Sequence, residues 1–88
     1  MINKTLAIKN KLGIHARPAA MLARTAGKFS SKISIIKNGQ EVDCKSILGI
    51  MMLAVEYNAA IMISANGSDE NEALSEIEIL INNKFQEE

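Results

Sequence analysis

The chain has 88 residues, 48% of them hydrophobic, and its ten basic residues balance its ten acidic ones. One domain over residues 1–88 is therefore expected, with an aliphatic core because two phenylalanines and one tyrosine are the only aromatic residues. The zero net charge argues against a protein that binds nucleic acid by neutralising phosphates. No apolar run reaches the ~18–20 residues needed to insert across a membrane.

The chain has one cysteine and one histidine, which limits its chemistry further. A single cysteine excludes an internal disulfide and is typical of a reducing compartment, so we expect a cytoplasmic protein. The two residues together are too few for an ordinary structural zinc site, and no glycine-rich nucleotide loop is present, so no metal and no cofactor are expected. The N-terminus shows no signal-peptide pattern.

The first predicted elements are a strand over residues 3–8 and a helix that follows Gly13. Pro18 marks the first turn of that helix, because a proline there loses no intrahelical hydrogen bond. His15 is therefore predicted at or next to the N-cap. Apolar residues at positions i, i+3, i+4 and i+7 form one buried stripe on the helix. The stripe consists of Ala19, Leu22, Ala23 and Ala26.

A β-hairpin is predicted next. Residues 32–37 form an isoleucine-rich strand, and residues 40–44 return as its partner. Between them, Asn38-Gly39 is the strongest short hairpin signal, because both central positions of a type I′ turn need a positive φ.

A second, short helix is predicted within the apolar run of residues 47–55, with Ser46 as its N-cap, a contact worth ~1 kcal/mol. Ile50 and Leu53 are expected to face the core. The other apolar side chains then form an exposed patch, which we interpret as a docking surface that extends onto the first helix. The alternative is that these residues only cover the sheet edge. The predicted surface contains Ala16, Ala20, Arg24, Lys45, Ile47, Leu48 and Met51.

The last predicted elements are a strand over residues 59–65 and a helix. Asp69 and Glu72 have the spacing of a capping box at the start of that helix. The order β-α-β-β-α-β-α predicts an α+β fold with the helices on one face of an open antiparallel sheet. The apolar face of the last helix is predicted to contain Ala73, Leu74, Ile77, Leu80, Ile81 and Phe85.

The lone imidazole at a helix start is the main functional candidate. A neutral ring nitrogen attacks phosphoryl donors and forms a phosphoramidate, whose P–N bond is labile enough to pass the group on. The backbone amides of Ala16 and Arg17 and the Arg17 guanidinium are expected to hold the phosphate. The alternative is a capping or surface histidine without chemistry.

Two segments resemble the signatures of a known family. Gly13-Ile14-His15-Ala16-Arg17-Pro18-Ala19 and Lys45-Ser46-Ile47-Leu48-Gly49-Ile50-Met51 are similar to the two motifs of the HPr family, the histidine-containing phosphocarrier proteins of the bacterial phosphoenolpyruvate:sugar phosphotransferase system. The resemblance covers nearly the whole chain. It implies an open-faced β-sandwich, in which a four-stranded antiparallel sheet is covered on one face by three helices.

By this resemblance, His15 would accept phosphate on Nδ1 from enzyme I and pass it to enzyme IIA domains, with Arg17 as the active-site cation. The chain would be a monomeric carrier and not an enzyme. Ser46 stands where an ATP-dependent HPr kinase/phosphorylase acts in many bacteria, so phosphorylation there and binding to a catabolite-control transcription factor are further expectations. The alternative for Ser46 is the cap alone.

Three residues depart from the commonest family pattern, and two rival functions stay open. Cys44 is expected to be a small buried hydrophobe, Asn58 is expected to keep a left-handed turn, and Ala54 replaces a frequent glycine. The rival functions are a nitrogen-related carrier and a purely regulatory binding module or corepressor, neither with a direct role in sugar uptake.

Overall fold

The computed structural model describes residues 1–87. Their strands and helices follow the predicted order, and the strand boundaries differ from the predicted ones by at most one residue. Within this part of the chain, no helix is both long and apolar enough to cross a membrane. The elements are β1 (Ile2–Ala7), α1 (Ala16–Gly27), β2 (Lys32–Lys37), β3 (Gln40–Asp43), α2 (Ile47–Met52), β4 (Ala60–Asn66), α3 (Glu70–Asn82) and a 3₁₀ turn (Lys84–Gln86).

The strands form one antiparallel sheet in the order β1-β4-β2-β3. The central strand β4 places Ile61 opposite Leu6 of β1 and Ile63 opposite Ile35 of β2. These four side chains are buried, whereas Met62, which points to the other face, is half-buried. The α+β fold with an open sheet face is therefore confirmed, and the sheet and helices enclose an aliphatic core.

The helices bury the faces that their spacing predicts. All four residues of the α1 stripe are buried, as are Ile50 and Leu53 after Ser46. Cys44 is fully buried, as expected. Burial, helped by the charge of Asp43, raises the pKa of its thiol to about 12, so the side chain stays protonated at neutral pH.

Left-handed residues form the turns. Asn38 (φ 52°) and Gly39 (φ 81°) both have positive φ, as the hairpin prediction requires. Asn58 (φ 69°) keeps a left-handed conformation, as expected. Ala54 (φ 52°) is left-handed as well, and α2 ends at Met52 instead of continuing through the whole apolar run.

The predicted capping box at the start of α3 is wrong. Asp69 is the N-cap, but its carboxylate accepts hydrogen bonds from the Ser31 hydroxyl and from the backbone N–H groups of Ser30 (2.9 Å) and Ser31 (3.0 Å). Glu70 instead accepts the Gly67 N–H at 3.0 Å. The Ser31 hydroxyl and the two amides lower the pKa of Asp69 from 3.8 to about 2. Asp69 therefore links α3 to the loop before β2.

Phe85 does not belong to the apolar face of α3, because the helix ends at Asn82. Phe85 lies in the following turn, where Lys84 (φ 56°), Phe85 (φ 54°) and Gln86 (φ 61°) are all left-handed. Its side chain is nevertheless fully buried. The turn places Glu87 within hydrogen-bonding distance of the start of α1.

Candidate functional site

The loop before α1 is held against the segment that follows α2. Gly13 has φ +68°, and a Cβ atom there would overlap the Val55 carbonyl oxygen and lie 2.9 Å from the Cα of Glu56. The Ile14 N–H donates to the same Val55 carbonyl at 2.9 Å. Glycine is therefore required, and the loop has little freedom to shift the residue that follows it.

His15 is the N-cap of α1, as the sequence predicts. Its backbone is extended (φ −85°, ψ −167°), and its carbonyl accepts the Ala19 N–H at 3.0 Å. Among residues 1–87, its side chain makes no capping hydrogen bond. Ala16 and Arg17 are the first two helical residues, and amides in these positions lack intrahelical acceptors. The start of α1 therefore offers donors to an anion.

A carboxylate from the end of the chain joins this site. Glu87 Oε2 lies 2.7 Å from His15 Nε2 and 3.2 Å from Arg17 Nη1. Glu87 Oε1 accepts from Asn10 Nδ2 at 3.0 Å, and Arg17 Nη1 also donates to the Phe85 carbonyl at 3.2 Å. The Asn10 amide, with His15 and Arg17, lowers the pKa of Glu87 against the opposing effect of burial.

The site is partly open to solvent. The His15 and Arg17 side chains are 38% and 51% exposed, whereas the Glu87 side chain is 16% exposed. Asn10 is fully buried and also donates to the Gly13 carbonyl at 2.7 Å. Its Oδ1 atom has no partner within the described range. The His15 imidazole is therefore accessible from solvent, whereas Glu87 and Asn10, which lie behind it, are mostly or fully buried.

The predicted docking residues lie on two helices that pack against each other, α1 and α2. Ile47, Leu48 and Met51 are 45%, 71% and 43% exposed, which confirms that they face outward. Lys45 Nζ donates to the Phe29 carbonyl at 2.8 Å, so this ammonium has a partner inside the molecule. On α1, the structure leaves Ala16 and Arg24 exposed and Ala20 half-buried.

Ser46 is the N-cap of α2, as predicted. Its Oγ atom accepts the Gly49 N–H at 3.0 Å, and the residue is half-buried. The side chain therefore satisfies one of the unpaired amides at the helix start.

Sequence reasoning missed Glu87 and Asn10. Glu87 lies 72 residues after His15 and 77 after Asn10, so no local spacing relates them. An asparagine shortly before Gly13 was the only available signal, and its complete burial appears only in the folded chain.

The fold and the site define a small α+β protein with an accessible imidazole at the start of a helix. The family model for the "PTS HPr component phosphorylation site" matches residues 2–83. The chain therefore belongs to the HPr family, the phosphocarrier proteins of the phosphotransferase system.

Curated and solved relatives agree with this assignment. The chain is 42% identical to the phosphocarrier protein HPr of Cupriavidus necator over 87 residues, covering 99% of this chain and 98% of that one. It is also 42% identical to the phosphocarrier protein HPr of Treponema pallidum over 88 residues, covering 100% of both. The crystal structure of HPr-C-His from Thermoanaerobacter tengcongensis has a TM-score of 0.97 and 49% identity, covering 100% of this chain and 99% of that one.

Proposed function

We propose that His15 carries the phosphoryl group, accepting it on Nδ1 from enzyme I and passing it to enzyme IIA domains that serve sugar uptake. One observation at the start of α1 supports this proposal best. The His15 imidazole belongs to the N-cap residue but does not cap the helix, and the Arg17 guanidinium lies beside it. Free amides and a guanidinium are the groups that bind phosphate oxygens.

The transfer needs only a lone pair on the ring. The lone pair of Nδ1 forms a bond to phosphorus while the bond between phosphorus and the donor breaks, and its electrons return to the donor. The amides of Ala16 and Arg17 and the Arg17 side chain balance the charge of the bound phosphoryl group. Because the P–N bond is labile, the same steps in reverse deliver the group to an acceptor.

The exposed apolar patch on α2 is the proposed contact for both partners. Ile47, Leu48 and Met51 supply apolar area, and Met51 is flexible enough to pack against surfaces of different shape. Arg24 and Lys45 add positive charge near an apolar centre, which suits an acidic partner. We further propose that the carrier acts as a monomer in the cytoplasm.

Ser46 is the proposed regulatory site. Its hydroxyl lies at the start of α2, next to Ile47 and Leu48 of the patch. Phosphorylation by an ATP-dependent kinase would add about two negative charges there. These charges would weaken docking of an acidic enzyme I. The same modification would let the protein bind a catabolite-control transcription factor.

Labelling with radioactive phosphoenolpyruvate and purified enzyme I tests the carrier function. We expect acid-labile, alkali-stable phosphate on the wild type and on Ser46→Ala, which keeps the ring, and none on His15→Ala. If His15→Ala is labelled like the wild type, the proposal is wrong. Subsequent addition of a sugar-specific enzyme IIA domain should remove the label. Retention of the label would favour a nitrogen-related or regulatory carrier instead.

A further inference from the structure

The last described residues form a strap, defined here as residues 83–87, that lies against the loop before α1. Three consecutive non-glycine residues of the strap are left-handed: Lys84, Phe85 and Gln86. Each such residue costs roughly 1–2 kcal/mol, so the conformation persists only where surrounding contacts hold it. The buried Phe85 side chain and the Arg17 bond to its carbonyl supply such contacts.

The strap presents Glu87 to hydrogen-bond donors. Its Oε1 atom faces Asn10 Nδ2, and its Oε2 atom faces His15 Nε2 and Arg17 Nη1. Asn10 is fully buried and is itself held by the Gly13 carbonyl. The carboxylate is therefore held by hydrogen bonds to both of its oxygens. It is placed to accept a hydrogen bond from His15 Nε2 when that nitrogen carries the proton.

We propose that Glu87 is a positioning residue that keeps the His15 proton on Nε2, so that the lone pair lies on Nδ1. This inference rests on the proposed function of His15. A carboxylate that accepts a hydrogen bond from one ring nitrogen of a histidine determines the tautomer and the orientation of the ring. Glu87 lies outside the residues 2–83 that match the family model. It contacts Nε2, the ring nitrogen that does not take up phosphate in the proposed function.

The proposed contact also stabilises the charge that the reaction creates. When Nδ1 bonds to phosphorus and keeps the Nε2 proton, the ring becomes positively charged, and the Glu87 carboxylate lies against that charge. When the N–P bond breaks toward an acceptor, its electrons return to Nδ1 and the ring is neutral again. No proton has to enter or leave the ring in either direction. The negative phosphoryl group and the carboxylate lie on opposite sides of the imidazole.

Nitrogen NMR of the unphosphorylated protein tests the tautomer directly. In the wild type, we expect the neutral His15 ring to give one set of ¹⁵N shifts, with the proton on Nε2. Glu87→Ala should shift both ring nitrogens toward the average of a mixture. Glu72→Gln is the matched control for a lost carboxylate, because Glu72 is exposed on the first turn of α3. A proton on Nδ1 in the wild type, or unchanged shifts in Glu87→Ala, would overturn the proposal.

Phosphorylation by phosphoramidate tests the reactivity without a protein partner. Glu87→Gln keeps the side-chain volume but replaces two carboxylate oxygens by one amide oxygen. Asn10, His15 and Arg17 then share a single acceptor. We expect Glu87→Gln and Glu87→Ala to react about tenfold more slowly than the wild type, the lower end of the losses seen when the hydrogen-bond partner of a metal-binding histidine is removed. The same variants combined with Glu88→Gln prevent the neighbouring carboxylate from substituting. Rates equal to the wild type in the double variants would contradict a role for Glu87.

The two proposals fail in different ways. If phosphate is absent from His15 in the wild type, the proposed function is wrong, whatever the ring shifts are. If His15 is labelled but the Glu87 variants have the reaction rates and ring ¹⁵N shifts of Glu72→Gln, only the inference about Glu87 is wrong. Backbone amide spectra that match the wild type outside the strap establish that the variants are folded.

Discussion

The helices α1 and α2 both begin at an N-cap residue with an extended backbone, but the two N-cap side chains have different partners. Ser46 caps its own helix through the Gly49 N–H at 3.0 Å. His15 occupies the equivalent position of α1 and, within residues 1–87, makes no side-chain cap; its ring contacts Glu87 instead. The start of α2 thus uses its N-cap for stability, whereas the start of α1 keeps amides open to a ligand.

The two helix starts also differ in the side chains around them, which are apolar at α2 and charged at α1. The start of α2 lies beside exposed apolar side chains, including Ile47 and Leu48. The start of α1 lies beside a guanidinium and a carboxylate, those of Arg17 and Glu87. The start of α1 thus differs from that of α2 in two ways: within the described residues, no side chain caps it, and a carboxylate from a distant part of the chain joins the guanidinium beside it.

The largest expected effect comes from breaking the loop that presents His15. Gly13→Ala places a side chain at φ +68° and against the Val55 carbonyl, so we expect a loss of about 3 kcal/mol in the free energy of unfolding. Urea denaturation measures it. Gly39→Ala is the matched control, because it has φ +81° but, among residues 1–87, no atom within 4 Å of the added Cβ; it should lose only about 1 kcal/mol. Equal losses would contradict a tightly packed loop.

Removing the cation beside His15 should have the next largest effect. Arg17→Ala is expected to slow phosphorylation of His15 by enzyme I about 100-fold, because a preorganised donor to the transferred group is lost. Arg17→Lys should recover only part of the rate, since an ammonium lacks the planar fork of a guanidinium. Rapid-quench kinetics checks both variants. Arg24→Ala provides the contrast: it should raise KM and leave kcat unchanged. An Arg17→Ala protein with wild-type kcat would refute this assignment.

A direct comparison of the two N-caps should show a smaller effect. Ser46→Ala is expected to lower the free energy of unfolding by about 1 kcal/mol, the usual contribution of a capping hydroxyl. His15→Ala should cost less, because no cap is lost and the partly exposed contact with Glu87 is weak. Thermal and urea denaturation of both variants under one buffer condition measures the difference. The opposite ranking would mean that His15 stabilises α1 after all.

The smallest expected effect concerns the third helix start and depends on pH. The folded-state pKa of Asp69 lies near 2, below its ordinary 3.8, so its hydrogen bonds stabilise the fold above about pH 4 and cease to do so as pH falls through 2. Asp69→Asn should be less stable than the wild type at neutral pH, and the difference should shrink on acidification. Urea midpoints between neutral and acidic pH measure it. A constant difference at all pH values would exclude the carboxylate as its source.

Much of the fold and half of the site were predictable because their causes are local. The stripe from Ala19 to Ala26, the Asn38-Gly39 turn and the Ser46 cap each depend on residues within a few positions of one another, and the structure confirms all three. The position of His15 at a helix start was equally predictable, because Pro18 restricts the first turn.

The failed predictions share a physical cause. Asp69 has the right spacing for a capping box, but two serines brought close by the fold offer its carboxylate more donors than its own helix does. Phe85 has the right spacing for the α3 face, but it fills the core from a left-handed turn that no periodic pattern reveals. In both cases a tertiary contact outweighed a local preference.

The amino-acid sequence by itself determined the elements, their buried faces and an imidazole at the start of α1, because these follow from spacing along the chain. Only the tertiary structure decided which distant groups join that imidazole and Arg17. Glu87 reaches both of them, and Asn10 reaches Glu87, because the strap closes a loop of 72 residues back onto α1. Contacts over such distances arise from packing of the whole core, and local sequence patterns carry no record of them.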